Sequence, residues 1–194
     1  GAASVAAWLQ RPEVMAAVAR LSLSGNFITG SKKNYWSGDW EYDVDLSGLI
    51  LLCDALLTLK NPIELDLSNC GLSVNGVNPI AKAISAGAAV ARLILNENPL
   101  TGGRRDSDFD TDITGITALC DTLKTSSVTE LGLAKCRLGP GSLGKLAEYV
   151  RDADAAVNSL TVESTVTEFS AASASRTYSP SLPTLPGPSR HFAK

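Results

Sequence analysis

Histidine is nearly missing from this chain: the single one, His191, is the fourth residue from the end. Its position removes His-based catalytic triads and HExxH zinc sites. Cysteine is sparse as well. Cys53, Cys70, Cys120 and Cys136 form no CxxC pair, no zinc-finger spacing and no dense disulfide framework, so reduced thiols in an intracellular, cytoplasmic protein are expected. No Asn-x-Ser/Thr acceptor occurs, which agrees with that compartment. The longest apolar stretch, around residues 46–59, is broken by Asp54 and falls short of the roughly 18–20 residues a membrane span needs. Basic excess is also lacking. With 17 Lys+Arg against 20 Asp+Glu, nothing favours nucleic acid as the main partner. The chain opens at Gly1 rather than Met, so this end carries no information about targeting.

What is present is a recurring phrase. LSLSGNFI at Leu21, LDLSNCGL at Leu65, LILNENPL at Leu93, LGLAKCRL at Leu131 and a fading LTVEST at Leu160 each place apolar residues two apart and run into a turn. Between the phrases the period changes to 3.6, over residues 48–59, 78–87, 116–124 and 142–153, as expected for amphipathic helices. Asp45 and Ser47, Asn78-Pro79, Thr114 and Pro140 are suited to starting them. A strand–turn–helix unit cannot bury its apolar face alone, so successive units must stack. The expected architecture is α/β, with a parallel sheet on the concave side and helices on the convex side. Residues 1–20 read as N-terminal capping helices, 21–169 as about five stacked strands with their helices, and 170–194 as a Pro/Ser-rich extended tail.

The phrase LxLxx(N/C)xL followed by a helix resembles the leucine-rich repeats of the ribonuclease-inhibitor-like class, whose units run about 28–29 residues. The resemblance covers roughly residues 12–165 and implies a short horseshoe-shaped solenoid. It also implies that Asn26, Cys70, Asn98 and Cys136 form a structural ladder, each side chain satisfying backbone groups at a turn.

The first leucines stand at 21, 65, 93, 131 and 160, so successive intervals are 44, 28, 38 and 29 residues. Both long intervals begin after Asn-type turns, giving a two-unit super-repeat. Its helices agree: LCDALLT at Leu52 echoes LCDTLKT at Leu119, which makes Cys53 and Cys120 equivalent packing residues. The first insertion, residues 29–45, gathers Tyr35, Trp36, Trp40 and Tyr42 among charged residues, a composition common at binding anchors. The alternative is that these rings fold back as a cap over the strand ends. The second insertion, residues 101–112, holds Arg104, Arg105, Asp108 and Phe109 and alternates carboxylates at Asp106, Asp108, Asp110 and Asp112. An EF-hand loop would need Gly and Glu where Thr111 and Thr117 stand, so a solvated loop ending in a helix cap is expected rather than calcium.

Neither metal nor cofactor is expected. GPGSLGKL at Gly139 fits GxxxxGK, but Leu146 follows where a phosphate loop has Ser or Thr. The sheet-face positions, such as Ser22, Asp66, Ile94 and Gly132, are small and offer few anchors. The expectation is therefore a non-catalytic protein-protein interaction or assembly module. Its binding edge would be the rim carrying Tyr35, Trp36, Trp40, Tyr42, Arg104, Arg105, Asp108 and Phe109, with the tail. The alternative is a regulator of a small GTPase: activators of Ran resemble this repeat class, and Arg104 or Arg105 would supply the trans-acting arginine.

Overall fold

Each recurrence of the phrase becomes a strand. The computed structural model describes residues 1–105, 107–153, 158–163 and 176–177. In chain order it contains α1 (Ala2–Leu9), α2 (Pro12–Met15), β1 (Arg20–Ser22), β2 (Lys32–Lys33), β3 (Trp40–Glu41), α3 (Ser47–Leu56), β4 (Ile63–Asp66) and α4 (Val74–Ser85). There follow β5 (Val90–Ile94), α5 (Thr114–Leu123), β6 (Glu130–Ala134), α6 (Pro140–Asp152), β7 (Ser159–Glu163) and β8 (Arg176–Thr177). The fold is mixed α/β. Strands β1, β4, β5, β6 and β7 lie side by side in chain order as a parallel sheet, and β8 adds antiparallel to β7. Leu21, Leu65, Leu93, Leu131 and Leu160 stand in register across it. Parallel neighbours require a crossover, and a helix lies in each one.

Strand alternation sends one side of the sheet inward. Leu65, Leu67, Leu93, Leu95, Leu131 and Leu133 are buried against the apolar stripes of the helices, among them Leu49 and Leu52 of α3, Ile80 of α4, Leu119 of α5 and Tyr149 of α6. Cys53 and Cys120 lie at matching places in this core, as the helix echo implies.

Two helix boundaries differ from the sequence reading. The expected start at Asn78-Pro79 is overtaken: α4 begins at Val74 and carries Pro79 inside it. The cause is remote in sequence, because Asp43 accepts from the N–H groups of Ser73 and Gly76 and so supplies partners for the first turn. Within residues 1–20, expected as capping helices, the second helix is only the single turn of α2 before the chain extends into β1. Asp106 and most of the expected 170–194 tail lie outside the described residues. Among the described residues no helix is long and apolar enough to cross a membrane.

Candidate partner-binding groove

The turns that leave the strands are fixed by side chains reaching sideways from the next turn. The Cys70 thiol donates to Leu23 O at 3.1 Å, and Cys136 donates to Leu95 O at 3.1 Å. Asn98, fully buried, does more: Oδ1 accepts from Cys70 N–H and Leu72 N–H, and Nδ2 donates to the carbonyls of Leu67, Leu95 and Asn96. Asn26 is exposed and bonds only its own turn, at Leu23 O and Ser24 O. Among the described residues no strand turn precedes this one. Burial pushes the thiols of Cys53, Cys120 and Cys136 up to about 12 and that of Cys70 to about 11, so none is a ready nucleophile.

Across these turns lies the first insertion. Thr29, buried, donates to Gly71 O at 2.8 Å and roots it against the turn after β4. The chain then forms the β2–β3 hairpin, whose tip is held by Asn34 accepting from Trp36 N–H and Ser37 N–H. The four rings separate into two groups. Tyr35 and Trp36 stand at the tip, 90% and 91% exposed and edge to face. Trp40 and Tyr42 are half-buried and stack with Phe27, at 5.2 Å for Phe27–Trp40 and 5.9 Å for Trp40–Tyr42. Of the rings the sequence grouped together, two thus stand out at the hairpin tip and two pack back beside the turn after β1.

Arg137 extends this stack and links it to the second insertion. Its guanidinium carbon lies 5.8 Å from the Tyr42 ring centroid, one nitrogen donates to Tyr42 Oη at 3.4 Å, and another donates to Gly103 O at 2.8 Å. The residue sits in the turn after β6 with φ of 56°, in the left-handed region that the corresponding Gly71 occupies freely at 71°. Backbone strain here is spent on aiming a cation between two loops. Phe27, Trp40, Tyr42 and Arg137, with Asn69, Gly71 and Asn98, line a groove of about 340 Å³. No family model matches this chain, and no curated protein matches it either. The groove must therefore be read from its own chemistry: an aromatic wall, flanking cations at Lys135 and Arg137, and one carboxylate at Glu97.

The second insertion is organised like the first. Thr101 donates to Arg137 O as Thr29 does to Gly71 O, and Asp112 accepts from Thr114 N–H as Asp45 does from Ser47 N–H. Asp110 reaches α6, accepting from the N–H groups of Gly139, Gly141 and Ser142 and from the Ser142 hydroxyl, just as Asp43 serves α4. The two carboxyls differ in acidity. Burial lifts both, and in Asp43 it dominates; in Asp110 the hydroxyl and amide donors outweigh it and the pKa falls below the ordinary value. Asp108 turns back on its own loop, accepting from the N–H groups of Arg104 and Arg105, while those two arginines are exposed and Phe109 is half-buried. Asp108, Asp110 and Asp112 point at three different sets of donors. Among the described residues no cluster of three metal-binding side chains forms.

Sequence reasoning did not single out Phe27, Asp43 or Arg137, and it weighed Asp110 only as one of a row of loop carboxylates. Nor did it see a row of charge on the exposed sheet face, one register step before Ser22. Arg20 pairs with Glu64 at 3.3 Å, Glu64 with Arg92 at 3.5 Å and Arg92 with Glu130 at 3.1 Å, so this face is more strongly charged than its small residues suggested.

Proposed function

We propose that this chain is a leucine-rich-repeat solenoid of the ribonuclease-inhibitor-like kind, and that it serves as a non-catalytic protein-protein interaction module. The partner is gripped along the rim formed by the two insertions. The observation that carries this reading is the groove lined by Phe27, Trp40, Tyr42 and Arg137, to which the first insertion gives Trp40 and Tyr42 and whose Arg137 is tied to the second insertion through Gly103 O. Aromatic rings with a partly desolvated arginine are the side chains that contribute most to protein interfaces. The exposed pair Tyr35 and Trp36 at the hairpin tip supplies a second contact at low conformational cost. Support for the repeat reading comes from the bonds made by Cys70, Asn98 and Cys136 between successive turns. Four buried free thiols support a reducing, intracellular setting.

The decisive variant is Arg137→Gly. Glycine tolerates the left-handed backbone, so the fold is expected to keep its stability within about 1 kcal/mol while the groove loses its cation. Affinity capture from a native extract should yield a partner with the parent chain and lose it with Arg137→Gly and with Tyr35→Ala/Trp36→Ala. Undiminished capture by both variants refutes the rim reading. Acceleration of GTP hydrolysis by a small GTPase, abolished in Arg104→Ala/Arg105→Ala, would replace it with the regulator reading.

A further inference from the structure

We infer that the open edge of β1 is a second docking site, and that it takes a parallel strand of another protein in which an acidic residue is followed by leucines two apart. The inference goes beyond the rim reading and concerns a different surface. β1 stands at the end of the sheet, and among the described residues no strand pairs with its outer side. Leu23 and Gly25 donate to Asp66 O and Ser68 O, so Ser22 and Ser24, which alternate with them, turn their N–H groups to the open side. An unpaired edge of this kind is a template for an added strand. The helix layer leaves room for one. α1 packs on α3, α3 on α4, α4 on α5 and α5 on α6. In chain order α3, α4, α5 and α6 come after β1, β4, β5 and β6, whereas α1, which buries Ala6 and Leu9 in the same core, lies beyond α3 with no strand of the sheet before it among the described residues. Between the start of α1 and the turn after β1 a cleft of about 430 Å³ remains, lined by Gly1, Ala2, Asn26 and Phe27 among others.

What the edge leaves unmatched specifies the occupant. Charge alternates along one register row, from Arg20 to Glu64, Arg92 and Glu130. Glu64 and Arg92 each have an opposite charge on both sides, while Arg20 has one only on the side of β4. Opposite charges on neighbouring strands attract and like charges repel, so the residue set beside Arg20 should be acidic. The turns alternate in step with the charges: the strands carrying Arg lead to Asn26 and Asn98, and those carrying Glu lead to Cys70 and Cys136. Asn98 Oδ1 accepts from the N–H groups of Cys70 and Leu72 in the turn before it, whereas Asn26 Oδ1 receives no donor among the described residues. That oxygen lies past the C-terminal end of β1, so a strand whose following turn supplies the donors runs parallel to β1. A leucine after the acidic residue extends the row of Leu21, Leu65 and Leu93. A second copy does not meet these terms, because its own outer strand in parallel register would set Arg20 beside Arg20.

The test adds a synthetic peptide of residues 62–73, which carries Glu64, Leu65, Leu67 and the Cys70 turn, to the full chain under reducing conditions. Amide hydrogen exchange and the side-chain amide resonance of Asn26 report docking. The expected result at millimolar peptide is slowed exchange at Ser22 and Ser24 and a shift of the Asn26 resonance. A peptide with Glu64→Lys should bind about tenfold more weakly, since a cross-strand attraction becomes a repulsion, and Arg20→Glu in the chain should reverse that preference. Asn26→Ala should weaken the parent peptide several-fold with the unfolding midpoint close to that of the parent. Unchanged exchange at Ser22 and Ser24 overturns the inference, as does equal affinity for the Glu64→Lys peptide. Slowed exchange at these two amides that grows with chain concentration alone would make the occupant a second copy, which also overturns it. Arg137→Gly should leave peptide binding intact; a peptide lost with that variant would sit in the rim groove and overturn the edge site. If the peptide fails while Arg137→Gly still abolishes capture of other proteins, the rim reading stands and this edge site falls.

Discussion

Replacing Asn98 by Ala should be among the most damaging single changes available in this chain, and replacing Asn26 by Ala among the mildest. The two residues occupy the same place in the sequence phrase, so the difference is set by the neighbours. Asn98 is completely buried, and its amide serves two N–H donors and three carbonyls. Truncation leaves the N–H groups of Cys70 and Leu72, both residues fully buried, without their acceptor. A buried donor or acceptor stripped of its partner costs about 1–3 kcal/mol, so two orphaned N–H groups alone cost roughly 2–6 kcal/mol. That is a large share of the roughly 5–15 kcal/mol by which domains are stable. Asn26 is exposed and makes two bonds to its own turn, where water can substitute, so Asn26→Ala should cost less than about 1 kcal/mol. Urea unfolding followed by circular dichroism measures both, with the midpoint falling at constant slope if only stability has changed. Equal midpoints for the two variants, or a loss under about 1 kcal/mol for Asn98→Ala, would refute the account of the turns.

Asp110 and Asp43 should respond to acid in opposite ways. The folded-state pKa of Asp110 is lowered, so the stability it gives is present above the ordinary aspartate pKa of 3.8 and is lost as pH falls below it. The pKa of Asp43 is raised above 3.8, so its carboxylate costs stability as pH rises past that value. Thermal melts from pH 3 to 7 should accordingly show Asp110→Asn losing more at neutral pH than at pH 3, with no such trend for Asp43→Asn. A Cβ at Gly115 would lie 2.6 Å from Val74 O, so Gly115→Ala should destabilise by about 1–3 kcal/mol in the same urea assay. Gly144, inside α6 with open space around it, should gain about 0.5–1 kcal/mol as Ala. The four thiols should stay unlabelled by a thiol reagent at pH 8 until denaturant is added, since burial holds every one at about 11–12; rapid labelling of the native chain would contradict this.

The sheet was legible because its information is local. Leu65 and Leu67, or Leu93 and Leu95, are two apart, and a period of two needs no knowledge of the rest of the chain. The super-repeat was legible for the same reason, in the echo of Cys53 and Cys120. The start of α4 was not, because Asp43, which supplies the partners for its first turn, lies 30 and 33 residues upstream of Ser73 and Gly76. Arg137 was hidden differently. It stands at a turn position that Gly71 fills elsewhere, and only the positive φ shared by the two shows where an arginine there must point. The aromatic insertion was visible as composition, but composition does not say which rings of a hairpin face inward; strand pairing decides that, and it set Trp40 apart from Trp36.

The forward reach of Asp43 and Asp110 also bears on how such a chain can lengthen or shorten over generations. Each carboxylate leaves from one strand's insertion and completes the helix of the strand after it, skipping the helix in between. A duplication or deletion of one strand with its helix would leave either a helix start without its acceptor or an aspartate with nothing to bond. Two strands and two helices, taken together, carry every donor and acceptor of that exchange. The smallest piece that can be copied without loss is thus the pair, and lineages of this protein should differ in length by steps of about 66 residues, the interval between Leu65 and Leu131.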